Sequence, residues 1–317
     1  MNKTQLRFLL ALSVPLILIA CKKTKERPAP IPVIIQPPPD FGFKVVGYFP
    51  SYRDPSAVPD IKFRMTNVVN YAFGTVNAAG SLTINNPSTF NQVITKAKAN
   101  NARVFLSING THADFSNMAS TAPSRNNFIK DVMNILRNMQ LHGVDVDWEY
   151  PRTTDGTDVT FTALMKELSD SCHRDARFYL TAAITAGKYP GAVRDAIKSE
   201  LFTYVDWFNI MAYDDFSTTV PYKHHSDLVL AQTCLNYWVT TRLMPKEKAV
   251  LGMPAYGRPS GITQTNTVLT YAQILTQTGV ASAQTDSAIV TASGYPAPFT
   301  IYYNGQPTAK KKAMLAK

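Results

Sequence analysis

A parallel barrel of alternating strands and helices is the fold class that this 317-residue sequence predicts. Short runs rich in Val, Ile, Tyr and Phe recur from residue 44 onward. Segments of helical length, amphipathic in pattern, lie between them, the mark of repeated β-α units. With 45% hydrophobic and 17% charged residues, the chain has apolar content enough for one large core or two small ones.

The first element is an address. Lys3 and Arg7 precede an apolar run at residues 8–20, too short to span a bilayer comfortably but suited to the hydrophobic region of a signal peptide. Leu18-Ile19-Ala20-Cys21 resembles a bacterial lipobox, whose cysteine is acylated and becomes the first mature residue. Residues 1–20 therefore read as a lipoprotein signal peptide and Cys21 as the lipid anchor. An ordinary secretory signal beside a chance cysteine is the alternative. Residues 21–40 read as a linker, basic from Lys22 to Arg27 and proline-rich over 28–39, an extended spacer holding a domain off a membrane. The expected location is the cell envelope after export, a Gram-negative outer membrane ahead of a Gram-positive plasma membrane.

The formal charge of +10 raises the question of nucleic acid, and its distribution answers it. Residues 1–27 carry +5 and residues 310–317 carry +4, leaving about +1 on the body between. That body has no basic stripe of the kind phosphate binding needs, so nucleic acid is excluded as a partner. Cys172 and Cys234 have no CxxC or Cys/His spacing, so no zinc site is indicated; they are either a pair or two buried thiols.

In the body, strands are predicted at 45–49, 67–73, 103–108, 144–148, 179–184, 207–211 and 249–254, with helices such as 89–99 and 125–139 between them. In the second of these helices Ile129, Val132, Met133, Ile135 and Leu136 recur at helical spacing. After Pro254 the pattern is irregular and rich in Thr, Gln, Ala and Gly to about residue 294. Function is expected at the C-terminal ends of the strands.

The most informative stretch is Gly143-Val144-Asp145-Val146-Asp147-Trp148-Glu149-Tyr150-Pro151. Alternate side chains of a strand face opposite ways, so Asp145, Asp147 and Glu149 share one face and Val144, Val146 and Trp148 the other. Acids on the barrel side would stack at intervals of about 7 Å, from a rise of about 3.3 Å per residue. Their repulsion and burial should leave at least one protonated near neutrality, a general acid at the strand's end. A solvated surface strand does not fit the apolar surroundings, and a metal site lacks both a nearby histidine on the same face and convergent ligands.

This stretch resembles the DGxDxDxE signature of family 18 glycoside hydrolases, the chitinases and their relatives. Val46-Gly47-Tyr48-Phe49-Pro50, Asn70-Tyr71-Ala72-Phe73 and Leu106-Ser107-Ile108-Asn109-Gly110 look like that family's first three strands. Asn209-Ile210-Met211-Ala212-Tyr213-Asp214 is similar to its sixth-strand MxYD motif, and Gly252-Met253-Pro254-Ala255-Tyr256-Gly257-Arg258 to its seventh. The resemblance implies a (β/α)8 TIM barrel over residues 41–317 and hydrolysis of β-1,4-linked N-acetylglucosamine polymers with retention, through an oxazolinium intermediate. It implies Glu149 as proton donor, Asp147 holding the acetamide N–H, Asp145 sharing a proton with Asp147, and Tyr213 on the acetamido oxygen. Met211, Asp214, Tyr48, Phe73 and Tyr256 would line the sugar site, with barrel core the alternative for Tyr48 and Phe73. No cofactor or metal is implied, and a monomer is expected.

The sequence departs from the family pattern at three places. His142 stands for the signature's first Asp, Asn109 for a Gly of the third strand, and the chain ends before the eighth strand. A truncated or frame-shifted copy is the expectation from the last of these. The short segment after the seventh strand leaves little room for an added α+β domain, so a shallow, open groove and endo cleavage are expected. An endo-β-N-acetylglucosaminidase acting on N-glycans, a non-catalytic chitin-binding lectin and an inactive remnant are the competing functions. His112, His142, His173, His224 and His225 show no ligand spacing and receive no role.

Overall fold

Parallel strands need covering on both faces, and the chain supplies helices for one face and side chains of the barrel interior for the other. The computed structural model describes residues 40, 42–174, 177–217, 219–260, 267–295 and 297–317. The signal segment, Cys21 and the spacer through residue 39 lie outside the described residues. The strands are β1 (Val46–Pro50), β2 (Val68–Val76), β3 (Leu82–Ile84), β4 (Arg103–Asn109), β5 (Gly143–Val146), β6 (Tyr179–Thr185), β7 (Trp207–Met211) and β8 (Ala249–Leu251). The order β1-β2-β4-β5-β6-β7-β8 is parallel throughout, with β3 antiparallel on β2.

The predicted strands all form, β7 with its predicted bounds and the others with shifted ends. β2 runs three residues beyond its predicted end, whereas β5 stops at Val146 and β8 at Leu251. Past β5 the Asp147 N–H still donates to Ile108 O at 2.9 Å, which carries the extended backbone one residue further. Among the described residues no eighth parallel strand follows β8, so β1 and β8 are the ends of a seven-stranded open barrel.

The helices are α1 (Asp60–Arg64), α2 (Pro87–Ala99), α3 (His112–Ser120), α4 (Ala122–Asn138), α5 (Thr157–Arg174), α6 (Ala192–Asp195), α7 (Leu201–Tyr204) and α8 (Leu228–Leu235). Helix α4 starts three residues earlier than its apolar repeat suggests because Thr121 caps it, accepting from Ser124 N, and Pro123 fits the first turn. Outward strand residues such as Leu106, Val144, Val146 and Leu180 pack with Phe128, Val132, Phe161 and Leu168 of the helices in the main core. Cys172 lies in that core beside Met133, Sγ to Sδ 4.0 Å, and Cys234 is buried on α8.

Inside the barrel, Val68, Phe105, Tyr179 and Trp207, with Val46 and Val250, form a separate apolar plug. Its rings lie 5.4–5.9 Å apart. Two residues further along β1, β2, β4, β5, β6 and β7 the same face becomes polar: Tyr48, Asn70, Ser107, Asp145, Thr181 and Asn209. The plug is the floor on which that polar layer rests.

The expectation of no added domain is overturned. After β8 come β9 (Tyr256–Pro259), β10 (Leu269–Thr270), α9 (Tyr271–Thr278), β11 (Ser287–Val290), β12 (Phe299–Tyr302) and α10 (Gln306–Ala316). β10-β9-β12-β11 make an antiparallel sheet with its own core of Ile274, Val290, Phe299, Ile301 and Tyr303. Strands of two to four residues in Thr- and Ala-rich sequence leave a weak period-two signal, which is why the segment read as irregular. Helix α10 carries three of the four C-terminal lysines, yet Lys312 is buried, donating to Ser226 O and Oγ at 2.8 Å each. Burial pushes its ammonium down to about 8.

Gly143 tests the packing of plug against strand. A Cβ there would meet Tyr179 O at 2.4 Å and the Phe105 ring at 2.8 Å, both held by neighbouring strands. Gly143→Ala should cost about 1–3 kcal/mol of overpacking strain. Urea denaturation reads it, and an unchanged midpoint would show the plug to be loosely packed.

Candidate active site

Asp145 is fully buried, and its carboxylate accepts four hydrogen bonds. Tyr48 Oη and Ser107 Oγ donate to Oδ2 at 2.8 Å each, Thr181 Oγ1 to Oδ1 at 2.6 Å, and Asn209 Nδ2 to Oδ1 at 3.0 Å. Ser107 and Thr181 are the direct ladder neighbours of Asp145 on β4 and β6, so strand register alone brings them there. Burial pushes the Asp145 carboxyl up, and these donors pull against that shift.

Asp147 stands above it, 9% exposed, with an Oδ1 that accepts no hydrogen bond from the described residues. Burial, then the charges of Asp145 and Glu149, push its carboxyl well above the usual range. Burial and like charge thus favour the protonated form of Asp147. Glu149 is exposed at the mouth. The strand parity holds past the end of β5: Trp148, 2% exposed, turns to the helices, stacked on Phe115 at 5.0 Å and edge-on to Phe161 at 5.6 Å.

Tyr213 is half-buried, and burial with the charges of Asp147 and Glu149 keeps its hydroxyl protonated, a donor facing the acids. Tyr150 is held up likewise by burial and by Glu149. Met211 ends β7 half-buried, and Phe73 is half-buried near the C-terminal end of β2. Tyr48 is 39% exposed, but its hydroxyl is engaged by Asp145 and by Asn209 Nδ2 at 3.0 Å. Its role in the structure is to anchor Asp145.

Asp214 is similarly engaged. Its backbone sits at φ 62°, and its carboxylate receives Tyr256 Oη at 2.9 Å and Arg258 Nε at 2.6 Å, with the second guanidinium nitrogen at 3.2 Å. His225 Nδ1 lies 3.3 Å from the same Oδ1. Burial alone would raise the carboxyl, but the bonds from His225, Arg258 and Tyr256 bring it down to about 2. This clamp ties the loop after β7 to β9 of the added sheet. Tyr213 and Tyr256 meet edge-on at 6.3 Å, so the sheet forms a wall beside the acids, and the shallow groove expected from sequence is walled on this side.

Sequence reasoning placed Asp145, Asp147, Glu149 and Tyr213 together, and the structure does so too. It missed Ser107, Thr181, Asn209, Arg258 and His225. The first three were legible as polar residues in apolar strands on the parity of Asp145. His225, given no role from sequence, is buried against Asp214 and stacks on Tyr256 at 5.5 Å. His142 Nδ1 accepts from Val104 N at 3.1 Å, far from the acids in register, and serves the strand pairing.

The family model "Glycosyl hydrolases family 18" matches residues 44–317. The chain is 30% identical over 272 residues to probable chitinase 10 of Drosophila melanogaster, covering 74% of this chain and 12% of that protein. It is 30% identical over 250 residues to class V chitinase of Arabidopsis thaliana, covering 71% and 64%. It thus spans less than two thirds of the length of either relative. A chitinase structure from Bacteroides thetaiotaomicron shares the fold, with TM-score 0.73 at 23% identity over 86% of this chain and 85% of that one.

Asp147→Asn reads the electrostatics of the column. A carboxyl whose folded pKa is raised stabilises the fold most below its unfolded value, about 3.9, and loses that contribution as pH rises toward the folded value. The amide does not titrate, so the variant should gain on the parent by up to about 1.4 kcal/mol per pH unit across that window. Melting curves from pH 4 to 8 check it; parallel curves would mean that Asp147 is not shifted.

Proposed function

The chain belongs to glycosyl hydrolases family 18, and we propose that it cleaves β-1,4-linked N-acetylglucosamine polymers or oligomers with retention, by substrate-assisted catalysis. The observation that carries this reading is the acid column: Asp145 anchored by four donors, Asp147 buried above it with its carboxyl pushed up, Glu149 open at the mouth. The column holds no second exposed carboxylate placed to act as a nucleophile, so the substrate's own acetamide fills that role.

The 2-acetamido oxygen attacks the anomeric carbon as the glycosidic C–O bond breaks, and Glu149 gives its proton to the leaving oxygen. Asp147 holds the acetamide N–H, and Tyr213 donates to the acetamido oxygen, which orients the attack. Water then adds to the anomeric carbon, its proton returning to Glu149, and the ring of the oxazolinium opens to restore the acetamide. Two inversions give net retention. Met211, Phe73 and Tyr256 line the sugar site, while Tyr48 and Asp214 act on it through Asp145 and Tyr256.

We also propose that the protein is exported and held at the cell envelope as a monomer through acylated Cys21. The apolar run at 8–20, the lipobox-like Leu18-Ile19-Ala20-Cys21 and the proline-rich spacer support this.

Glu149→Gln should lower turnover of a fluorogenic chitotrioside by about 10²–10⁴-fold, the share general acid catalysis supplies. Product stereochemistry by proton NMR should show the β-anomer first. A variant with undiminished turnover, or α-anomer as first product, would overturn the mechanism. Release of glycan from an N-linked glycoprotein without action on chitotrioside would assign the site to the chitobiose core instead.

A further inference from the structure

We propose that His112 is a positioning residue for the acid column, acting through Trp148 in a relay that runs Trp148, His112, Asp155. Trp148 is the single residue between Asp147 and Glu149, and its side chain points away from both. Its indole therefore sets the backbone torsions that aim the two acids. Phe115 and Phe161 fix the plane of that ring. Stacking leaves it free to slide, and a directional bond at the indole nitrogen removes that freedom.

The bond is present. Trp148 Nε1 lies 3.3 Å from His112 Nδ1, and His112 Nε2 lies 3.0 Å from Asp155 Oδ2 and 3.3 Å from Ser116 Oγ. An indole N–H can only donate, so Nδ1 must accept. The neutral ring then carries its proton on Nε2, directed at the Asp155 carboxylate. Asp155 thus selects the tautomer that Trp148 needs. Asp155 is itself held, its Oδ1 accepting from Thr157 N at 3.1 Å and Thr157 Oγ1 at 2.6 Å. Arg152 N in turn donates to Thr157 Oγ1 at 2.7 Å. The segment leaving Glu149 is closed into a ring of hydrogen bonds that ends on the start of α5, and His112 joins it to the start of α3.

This inference rests on the hydrolase reading above, and the experiment separates the two. His112→Asn places an amide oxygen near the position of Nδ1 and keeps the acceptor; His112→Gln reaches the position of Nε2 and loses it; His112→Leu loses both. Misplacing the acids by a fraction of an ångström should lower kcat on chitotrioside about tenfold or more in the Gln and Leu variants, with KM within about twofold. The Asn variant should recover most of the loss. The indole N–H resonances of the three tryptophans, read in a nitrogen-proton spectrum, give a second readout that needs no substrate. The Trp148 signal should move upfield in the Gln and Leu variants and stay in the Asn variant. A Leu variant with parental kcat, or with its loss confined to KM or to melting temperature, would overturn the proposal, as would an unmoved indole signal. If the parent itself turned over no chitotrioside, the hydrolase reading would fail, while the indole signal would still decide whether the relay exists.

Discussion

A carboxylate buried in the middle of a barrel costs several kcal/mol in lost hydration unless the protein replaces the water. At Asp145 the replacement is complete: four donors from β1, β4, β6 and β7 converge on two oxygens. The rest of the site depends on that arrangement. The apolar plug beneath shuts out water from below, which makes the donors strong and the neighbouring charge felt. The Asp147 carboxyl is consequently pushed well above the usual range, by its own burial first and by the neighbouring Asp145 and Glu149 carboxylates next.

The same arrangement explains how the barrel can be polar inside without losing its core. β1, β2, β4, β6 and β7 each give one residue to the plug and, two positions on, one to the polar layer, so the transition occurs at one level around most of the sheet. The outward faces are apolar throughout and carry the main packing against the helices. Folding stability and site chemistry are thus drawn from opposite faces of the same strands, and a substitution on one face leaves the other largely intact. Trp148 is the exception, since it packs with the helices while sitting between two acids.

How much of this the sequence shows depends on the distance over which a pattern must be read. The column Asp145, Asp147, Glu149 is local, and period-two alternation exposes it at once. The parallel strands are legible for the same reason. The shell of Asp145 is spread over Tyr48, Ser107, Thr181 and Asn209, and only the register between strands unites it. The clamp on Asp214 joins residues 42 and 44 positions apart, across an antiparallel sheet whose short strands hardly register in composition. A sequence signal for that sheet existed in Thr270 and Gln273, which form a capping box at the start of α9. It marked a helix start in a stretch that otherwise read as irregular.

The clamp has a consequence for what Asp214 can do. A carboxylate brought down to about 2 and shared among Tyr256, Arg258 and His225 is a fixed negative charge and a poor general base or acid. Its contribution is geometric: it holds Tyr256 against Tyr213 and the added sheet against the barrel loop. The left-handed backbone at Asp214, costly for a residue with a side chain, is sustained by those three partners. Proton chemistry is left to the column on the opposite side of the site, where burial and like charge, instead of cations, set the protonation. The two halves of the site are thereby kept apart electrostatically, a cation-held wall facing an acid column, with the sugar's acetamide placed between them and Tyr213 the group that reaches from one to the other.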